Sequence, residues 1–442
     1  MTHTSDLNLT ILGEHEDRTI EQLTRCTVAE PGARGVLCAD GHVGYSQPIG
    51  GVVAYRDHIS PSGVGYDIGC GNTAVRLGLH VDDLRSELPR VMDEIVGRIS
   101  FGVGRAAGTR VDHEVLDRIA RADFAPQRKL SQTAAAQLGT VGAGNHYVDL
   151  FHDEEGLVWI GVHFGSRGFG HRTANGFLSL IAGGRFDEHG SEGEMDSPPT
   201  LLPVDSELGA AYLSAMQLAG DYARAGRETV VEQVRAILEA EVTDTVENHH
   251  NYAWREEHAG ESWWVVRKGA TPAFPGQRGF VGATMGEQAV ILEGLETEAA
   301  AAALHSTVHG AGRAMSRTKA AGKTRWVPSC TDRDCGFWMT GAEAAEIREA
   351  GGTPSCPHHP GRALKKGPQT VSRGAIDYAE VREELAGRGI ELRGGAADEA
   401  PAAYKRLDGV LAHHAESVRI LHRLTPIGVA MAGPGIKDPY KD

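Results

Sequence analysis

Apolar β-branched residues bounded by glycine and proline mark short strands early in the chain, at 35–38, 49–55 and 73–77. The spacing then changes. Leu84, Leu88, Met92 and Ile95 share one helical face within 81–99, and Pro89 inside that stretch predicts two short helices or one kinked helix. An apolar run at 156–163 predicts a buried strand ending at His163. From 205 to about 242 the pattern is strongly helical. Leu208, Tyr212, Ala215, Ala219 and Tyr222 recur at helix spacing, then Val230, Val234 and Leu238, and Gly226 is expected to break or bend the stretch. Helices are also expected over 297–320 and 403–421, and Gly- and Pro-rich segments at 182–203 and 394–401 read as loops. Strands and helices come in blocks rather than in strict alternation, which points to an α+β fold. The sequence shows no internal repeat.

Composition narrows this little. A chain of 442 residues suits one large domain or two or three ordinary ones, and 41% hydrophobic content is ample for a core. No apolar run approaches a membrane span, and the N-terminus has neither the basic nor the apolar region of a secretory signal. Six sparse cysteines fit a reducing cytoplasm better than a disulfide framework. The net charge of −15 weighs against a general nucleic-acid coat, although a local basic groove would still accept a polyanion.

Candidate chemistry changes the picture more. The segment Gly65-Tyr66-Asp67-Ile68-Gly69-Cys70-Gly71 sets a carboxylate and a thiol three residues apart in a glycine frame. Downstream stand Asn145-His146, His163 before Gly165-Ser166-Arg167-Gly168, and His250-Asn251. Asp67, Cys70, His146, His163 and His250 together make a transition-metal ligand set, and one thiolate can bridge two ions. Any one of these histidines alone reads as well as a satisfied core residue; five in such contexts do not. A second constellation, His309-Gly310-Ala311-Gly312-Arg313 with Arg317, suits phosphate chemistry: glycines admit the phosphate, arginines neutralise it, and the histidine is a ligand, a general acid or a nucleophile. The alternative is a helix N-terminal turn with solvated arginines. Arg267-Lys268-Gly269-Ala270-Thr271 and Gly282-Ala283-Thr284-Met285-Gly286 are weaker candidates for loops contacting phosphate or base. Gly322-Lys323-Thr324 is not a P-loop, because Arg317 occupies the position of the required glycine, and 139–144 is not a dinucleotide fingerprint.

Residues 322–372 differ from their surroundings, with seven Lys/Arg against five Asp/Glu in an otherwise acidic chain. They read as an inserted Cys/His-rich subdomain. Cys330, Cys335 and Cys356, with His358 or His359, have roughly the separation of a tetrahedral structural Zn²⁺ site, the alternative being free thiols in a loop. Arg362, Lys365 and Lys366 give it a basic end.

At these residues the chain resembles the RtcB family of RNA-splicing ligases. The matching stretches run in family order: Ala39-Asp40-Gly41-His42-Val43-Gly44-Tyr45, Pro48-Ile49-Gly50-Gly51, 63–71, 139–146, 163–171, His249-His250-Asn251-Tyr252, 267–271, 309–317 and Ala403-Tyr404-Lys405. The resemblance implies a single large domain over 1–442, a mixed β core with a deep metal and nucleotide cleft and surrounding helices, interrupted by the 322–372 insertion. It implies joining of an RNA 2′,3′-cyclic phosphate or 3′-phosphate end to a 5′-hydroxyl end with GTP and two Mn²⁺ ions, in RNA repair or tRNA splicing. By position, Asp67, Cys70 and His146 would hold one ion and Cys70, His163 and His250 the other. His309 would become guanylylated. Asp40, Asn145, Arg167, Lys268 and Arg313 would bind phosphates or support the metals, and Tyr404, Asp149 and Thr284 would face the nucleotide. RNA with broken ends, which Arg362, Lys365 and Lys366 of the insertion would contact, and an archease-type activator are the implied partners. Departures cluster around the nucleotide. The family's base-contacting Glu is Asp149, two serines become Thr284 and Ala289, and Ala432 stands where a terminal lysine is expected, with Lys437 a candidate substitute. A divergent paralogue acting as an RNA-end phosphodiesterase or phosphatase, or a non-catalytic RNA-binding module, is the alternative.

Overall fold

The computed structural model describes residues 2–4, 8–190, 195–332, 335 and 337–433. Lys437 lies outside them. Two sheets carry the fold. An eight-stranded sheet has the order Val242–His249, Gly71–His80, Leu157–Phe164, Tyr147–His152, Val418–Met431, Ala289–Gly294, Arg278–Val281, with Glu391–Arg393 paired in parallel to Val418–Met431. Its end strands approach each other: Arg278 grips Asp244 at 2.6 and 2.9 Å, and Phe280 N donates to Asn248 Oδ1 at 2.9 Å. The sheet therefore curls on itself. A six-stranded sheet has the order Thr2–Thr4, Leu9–Ile11, Arg34–His42, Ile49–Tyr55, Glu261–Lys268, Asn251–His258.

Strand parity decides which residues the curled sheet encloses. In Leu157–Phe164, the side chains of Val158, Ile160, Val162 and Phe164 join the cluster formed with Val230, Val231 and Val234 of the helix Glu207–Leu238. Each such buried side chain is worth about 1.5–3 kcal/mol. The alternate set, Trp159, Gly161 and His163, faces the other way. Trp159 packs with Phe151 and Phe280, and a Cβ on Gly161 would crowd both phenyl rings. In Tyr147–His152 the same parity puts Val148 and Leu150 on the helix side and Tyr147 and Phe151 inside. His163 is on the inner face because its strand neighbours are anchored on the outer one.

The expected strands at 35–38, 49–55 and 73–77 lie within Arg34–His42, Ile49–Tyr55 and Gly71–His80, and the 156–163 run lies in Leu157–Phe164, one residue beyond His163. The 81–99 stretch is two helices, Val81–Leu84 and Leu88–Arg98, with Pro89 in the first turn of the second, where its missing N–H costs nothing. Three expectations change. Helix Glu207–Leu238 runs unbroken through Gly226, whose bare Cα lets it lie against Phe164; a Cβ would sit 3.2 Å from that ring. It ends at Glu239 in a left-handed conformation, short of Val242, which opens a strand. Over 297–320 only Glu298–Ala302 and Arg317–Ala321 are helical; between them Ser306–Val308 pairs with Ala270–Pro272, so alanine's helix preference gives way to a tertiary strand pairing. Over 403–421 the helix is confined to Leu407–Ala412, and Val418 begins the longest strand. The 182–203 loop ends in a two-residue strand, Leu202–Pro203, and 394–401 holds short 3₁₀ turns at Ala397–Glu399 and from Pro401. Residues 322–373 form an antiparallel hairpin, Gly322–Ser329 with Lys365–Arg373, whose tip includes helix Gly341–Glu349. Among the described residues, no helix is long and apolar enough to cross a membrane.

Candidate metal and nucleotide centre

The segment carrying Asp67 and Cys70 is a turn between helix Pro61–Val64 and strand Gly71–His80. Gly65 and Gly69 have φ of +82° and +70°, which a side chain would strain, and Cys70 N donates to Asp67 O at 3.0 Å to close the turn. Gly69 N donates to Asn251 O at 2.8 Å and His250 N to Cys70 O at 2.8 Å, so the Cys70 turn and the His250 segment are laced together. A Cβ on Gly165 would overlap the Asp67 carboxylate, which explains glycine beyond His163.

One residue not recognised in the sequence ties these pieces together. Arg227, fully buried in helix Glu207–Leu238, donates to Gly69 O and Phe164 O at 3.0 Å each, to Thr73 Oγ1 at 3.1 Å and to Glu247 Oε1 at 3.0 Å, and its Nη2 is 3.2 Å from His249 Nδ1. It thereby touches the chain neighbours of Cys70, His163 and His250. Its signal was available: Arg227 falls on the buried stripe between Ala223 and Val230, where a charge is costly unless paired.

Around Cys70 the side chains converge in two sets. Ligand atoms of Asp67, Cys70 and His146 lie within 4.8 Å of one another, and so do those of Cys70, His163 and His250. The Cys70 Sγ is 3.7 Å from His146 Nε2 and 3.9 Å from His163 Nε2, and His146 Nε2 is 3.2 Å from Asp67 Oδ2. His163 Nδ1 bonds Asn72 Oδ1 at 2.7 Å, so Asn72, also unrecognised beforehand, takes the Nδ1 proton and leaves the Nε2 lone pair facing the sulfur. Burial, and after it the neighbouring histidines, holds His163 and His250 well below the usual imidazole range, as uncharged donors. Burial would raise Asp67, but His146 and Arg167 pull it down to about 2. Burial and then Asp67 push the Cys70 thiol well up; a cation in the site would reverse that shift. Uncharged imidazoles, a carboxylate and a shared sulfur fit two divalent ions.

Beside this set stands His309. Its Nδ1 lies 2.6 Å from Asp40 Oδ2, which also accepts from its own backbone N at 3.0 Å. Burial would raise the Asp40 carboxyl, but the His309 ring and backbone N–H hold it below its ordinary value, an ionised acceptor. The proton is therefore on Nδ1, the Nε2 lone pair is free, and the ring lies 5.0 Å from that of His250. Asp40 itself sits where strand Arg34–His42 breaks register, with Lys405 Nζ on the carbonyls of Ala39 and Gly41 at 3.0 and 3.2 Å.

The remaining candidates divide. Asn145 Nδ2 is 3.4 Å from His163 Nε2, within the metal set. Arg167 donates to Gly102 O at 3.1 Å, and its guanidinium crowds Gly142 together with His146. Lys268 Nζ donates to the carbonyls of Tyr45 and Ser62 at 2.7 and 3.3 Å. Arg267 makes a buried two-point pair with Glu256 at 2.6 and 3.0 Å. Arg313 stacks on Tyr404 and donates to its hydroxyl, to Glu399 and to Asp398 O, while Tyr404 also donates to Glu399. Arg317 shares Glu399 at 2.6 Å and packs on Gly144, beside Asn145. Asp149 Oδ1, Thr284 Oγ1 and the Tyr147 hydroxyl are buried without a hydrogen-bond partner among the described residues. Burial pushes the Asp149 carboxyl well up. Cys330, Cys335, Cys356 and His359 form a separate cluster at the tip of the hairpin.

The model of the tRNA-splicing ligase RtcB family matches residues 27–332, from before Asp40 to within the hairpin. The chain is 30% identical to the tRNA-splicing ligase RtcB of Thermococcus kodakarensis, over 94% of this chain and 91% of that protein. It is 30% identical to the RNA-splicing ligase RtcB of Mycobacterium bovis, over 93% and 98%, and 32% identical to that of Escherichia coli, over 64% and 74%. The chain belongs to the RtcB family. As an RtcB-family member it is an RNA ligase by kind, and its two convergent ligand sets sit inside the family match.

Two outcomes test this geometry. Arg227→Met should lower unfolding free energy by about 3–5 kcal/mol, because Glu247, Thr73 and two backbone carbonyls lose their donor, and should reduce bound divalent metal; a variant of normal stability and metal content would contradict the strut. Cys70→Ala should lose both ions, measured by elemental analysis, whereas Asp67→Ala and His250→Ala each lose one. A Cys70→Ala protein retaining one ion would show that the sulfur is not shared.

Proposed function

We propose that this chain is a Mn²⁺-dependent, guanylylating RNA ligase that joins a 2′,3′-cyclic phosphate or 3′-phosphate end to a 5′-hydroxyl end. The observation that carries it is the His309–Asp40 pair, which presents the Nε2 lone pair beside the Cys70 ligand sets. Asp67, Cys70 and His146 would hold one ion, and Cys70, His163 and His250 the other. Bound there, the ions supply charge neutralisation on non-bridging phosphate oxygens.

His309 Nε2 attacks the GTP α-phosphorus, the bond to the β-phosphate oxygen breaks, and pyrophosphate leaves. Asp40 holds the Nδ1 proton and stabilises the positive ring that forms. The RNA 3′-phosphate oxygen then attacks the same phosphorus, which frees His309; a cyclic end must first be opened by water to expose that phosphate. The 5′-hydroxyl of the second strand attacks the RNA phosphorus and GMP leaves. Arg313 and Arg317, braced on Glu399, border the phosphate side, and Arg167 and Asn145 border the metal side. The unpartnered Asp149, Thr284 and Tyr147 groups offer donors and acceptors to the base. An archease-type activator belongs to the same reading. The shorter Asp149 and Ala432 in place of lysine favour a relaxed or altered nucleotide preference, and they are what a phosphodiesterase paralogue would also show.

With α-labelled GTP and Mn²⁺, a covalent label is expected on the wild type and none on His309→Ala, whose metal content stays normal; equal loss of metal would make His309 a ligand instead. Asp40→Asn should slow labelling on the order of 10²- to 10⁴-fold. Labelling by none of the four nucleoside triphosphates, with cyclic-phosphate hydrolysis retained, would replace ligation by the phosphodiesterase reading.

A further inference from the structure

The hairpin formed by residues 322–373 has little to hold its tip together. Among its described residues only Val327, Ala344, Pro354 and Cys356 are buried and apolar. A unit of this size cannot be stabilised by so small a core and needs a metal, a disulfide or a partner. Its three cysteines are free, and the Sγ atoms of Cys335 and Cys356 are 3.5 Å apart, far beyond the roughly 2.05 Å of a disulfide.

The side chains instead converge on a point. Ligand atoms of Cys330, Cys335, Cys356 and His359 all lie within 4.8 Å of one another. His359 Nδ1 is 3.6 Å from both Cys330 Sγ and Cys356 Sγ. Bonds of about 2.3 Å to sulfur and 2.0–2.1 Å to nitrogen, at tetrahedral angles, place ligand atoms roughly 3.5–3.8 Å apart. The observed edges match. Backbone bonds brace the ligands: Cys330 N, just after the first hairpin strand, donates to Phe337 O at 2.9 Å, and Cys356 N, ahead of the second, donates to Arg362 O at 3.0 Å.

The surroundings of His359 point the same way. Its Nδ1 faces the sulfurs while its Nε2 lies 3.6 Å from Asp332 Oδ2, which Arg362 holds at 3.1 Å. A carboxylate behind the far nitrogen is the usual orienting partner of a metal-bound imidazole. Arg362, a candidate RNA contact by sequence, is thus occupied with Asp332. His358 competes for the fourth position only weakly: its Nδ1 is 3.8 Å from Cys335 alone, and its ring packs edge-on against Phe337.

We propose that Cys330, Cys335, Cys356 and His359 bind one zinc ion that staples the hairpin tip. Four protein ligands leave no open position, so the ion is structural rather than catalytic. The site is independent of the Cys70 centre and of the ligase reading. It fixes the far end of an arm whose first strand follows directly on helix Arg317–Ala321, the helix that begins with the Glu399-bound arginine, and which carries the exposed Trp326.

The test is metal analysis of the full-length protein, with cobalt substitution as a spectroscopic readout. The wild type should hold one zinc equivalent that survives Cys70→Ala, and Cys356→Ser should lose it while keeping the ions of the Cys70 centre. His359→Cys should retain the zinc, His359→Ala should lose it, and His358→Ala should keep it. Cobalt should give the intense visible bands of a tetrahedral thiolate site in the wild type and not in Cys356→Ser. Stripping the zinc should open residues 330–364 to protease while the rest stays resistant. Zinc unchanged in Cys356→Ser, or zinc lost with Cys70→Ala alone, would overturn the proposal, whereas GTP labelling of the wild type, which tests the ligase reading, is a separate result.

Discussion

A single buried guanidinium organises the centre of this molecule. Arg227 reaches from the long helix to the carbonyls that neighbour Cys70 and His163 and to the imidazole that neighbours His250. A charge taken out of water at that depth is tolerable only when every donor is used, and Glu247, Thr73 and two carbonyls use them. The consequence is geometric. Three segments far apart in the chain cannot drift relative to one another without breaking a charged hydrogen bond, so the sulfur of Cys70 stays within 4 Å of the His163 ring nitrogen.

The centre divides into the convergent ligand sets and the polar groups beyond them. In the ligand sets His146 Nδ1 and His250 Nδ1 are buried without a hydrogen-bond partner among the described residues, while Asn72 stands behind His163 and Asp67 beside His146. His309 is set by Asp40 in the same manner. On the side where the nucleotide is proposed to bind, Arg313, Arg317 and Tyr404 are engaged with Glu399, while Asp149 Oδ1, Thr284 Oγ1 and the Tyr147 hydroxyl are buried without a partner among the described residues. Unsatisfied groups of that kind cost about 1–3 kcal/mol each in an empty fold, which is the expected condition of a surface built to meet a polar ligand.

The convergence of Asp67, Cys70 and His163 was legible in the sequence because their surroundings need an unusual backbone or a close approach, and glycine marks that need: Gly65 and Gly69 around Asp67, Gly165 after His163. Pro89 likewise marked a helix start. What escaped were pairings set by distant parts of the chain: the sequence does not single out Asn72, and it marks Asp40 without its partner. Nothing near Asn72 or Asp40 in the chain says that one faces His163 and the other His309. The misassigned helices at 297–320 and 403–421 have the same cause. Alanine-rich and leucine-rich spacing favours a helix locally, but Ser306–Val308 is claimed by Ala270–Pro272, and Val418–Met431 by Tyr147–His152 on one side and Ala289–Gly294 on the other. Gly226 misled for a related reason, since its glycine serves close packing on Phe164 and not a break.

The account turns on one sulfur serving two ions. Crystals of the wild-type protein grown with Mn²⁺ test it directly through an anomalous-difference map. The expected map has two manganese peaks, both within bonding distance of Cys70 Sγ, one also bonded to Asp67 and His146 and the other to His163 and His250. A single peak, or two peaks of which only one bonds the sulfur, would contradict it.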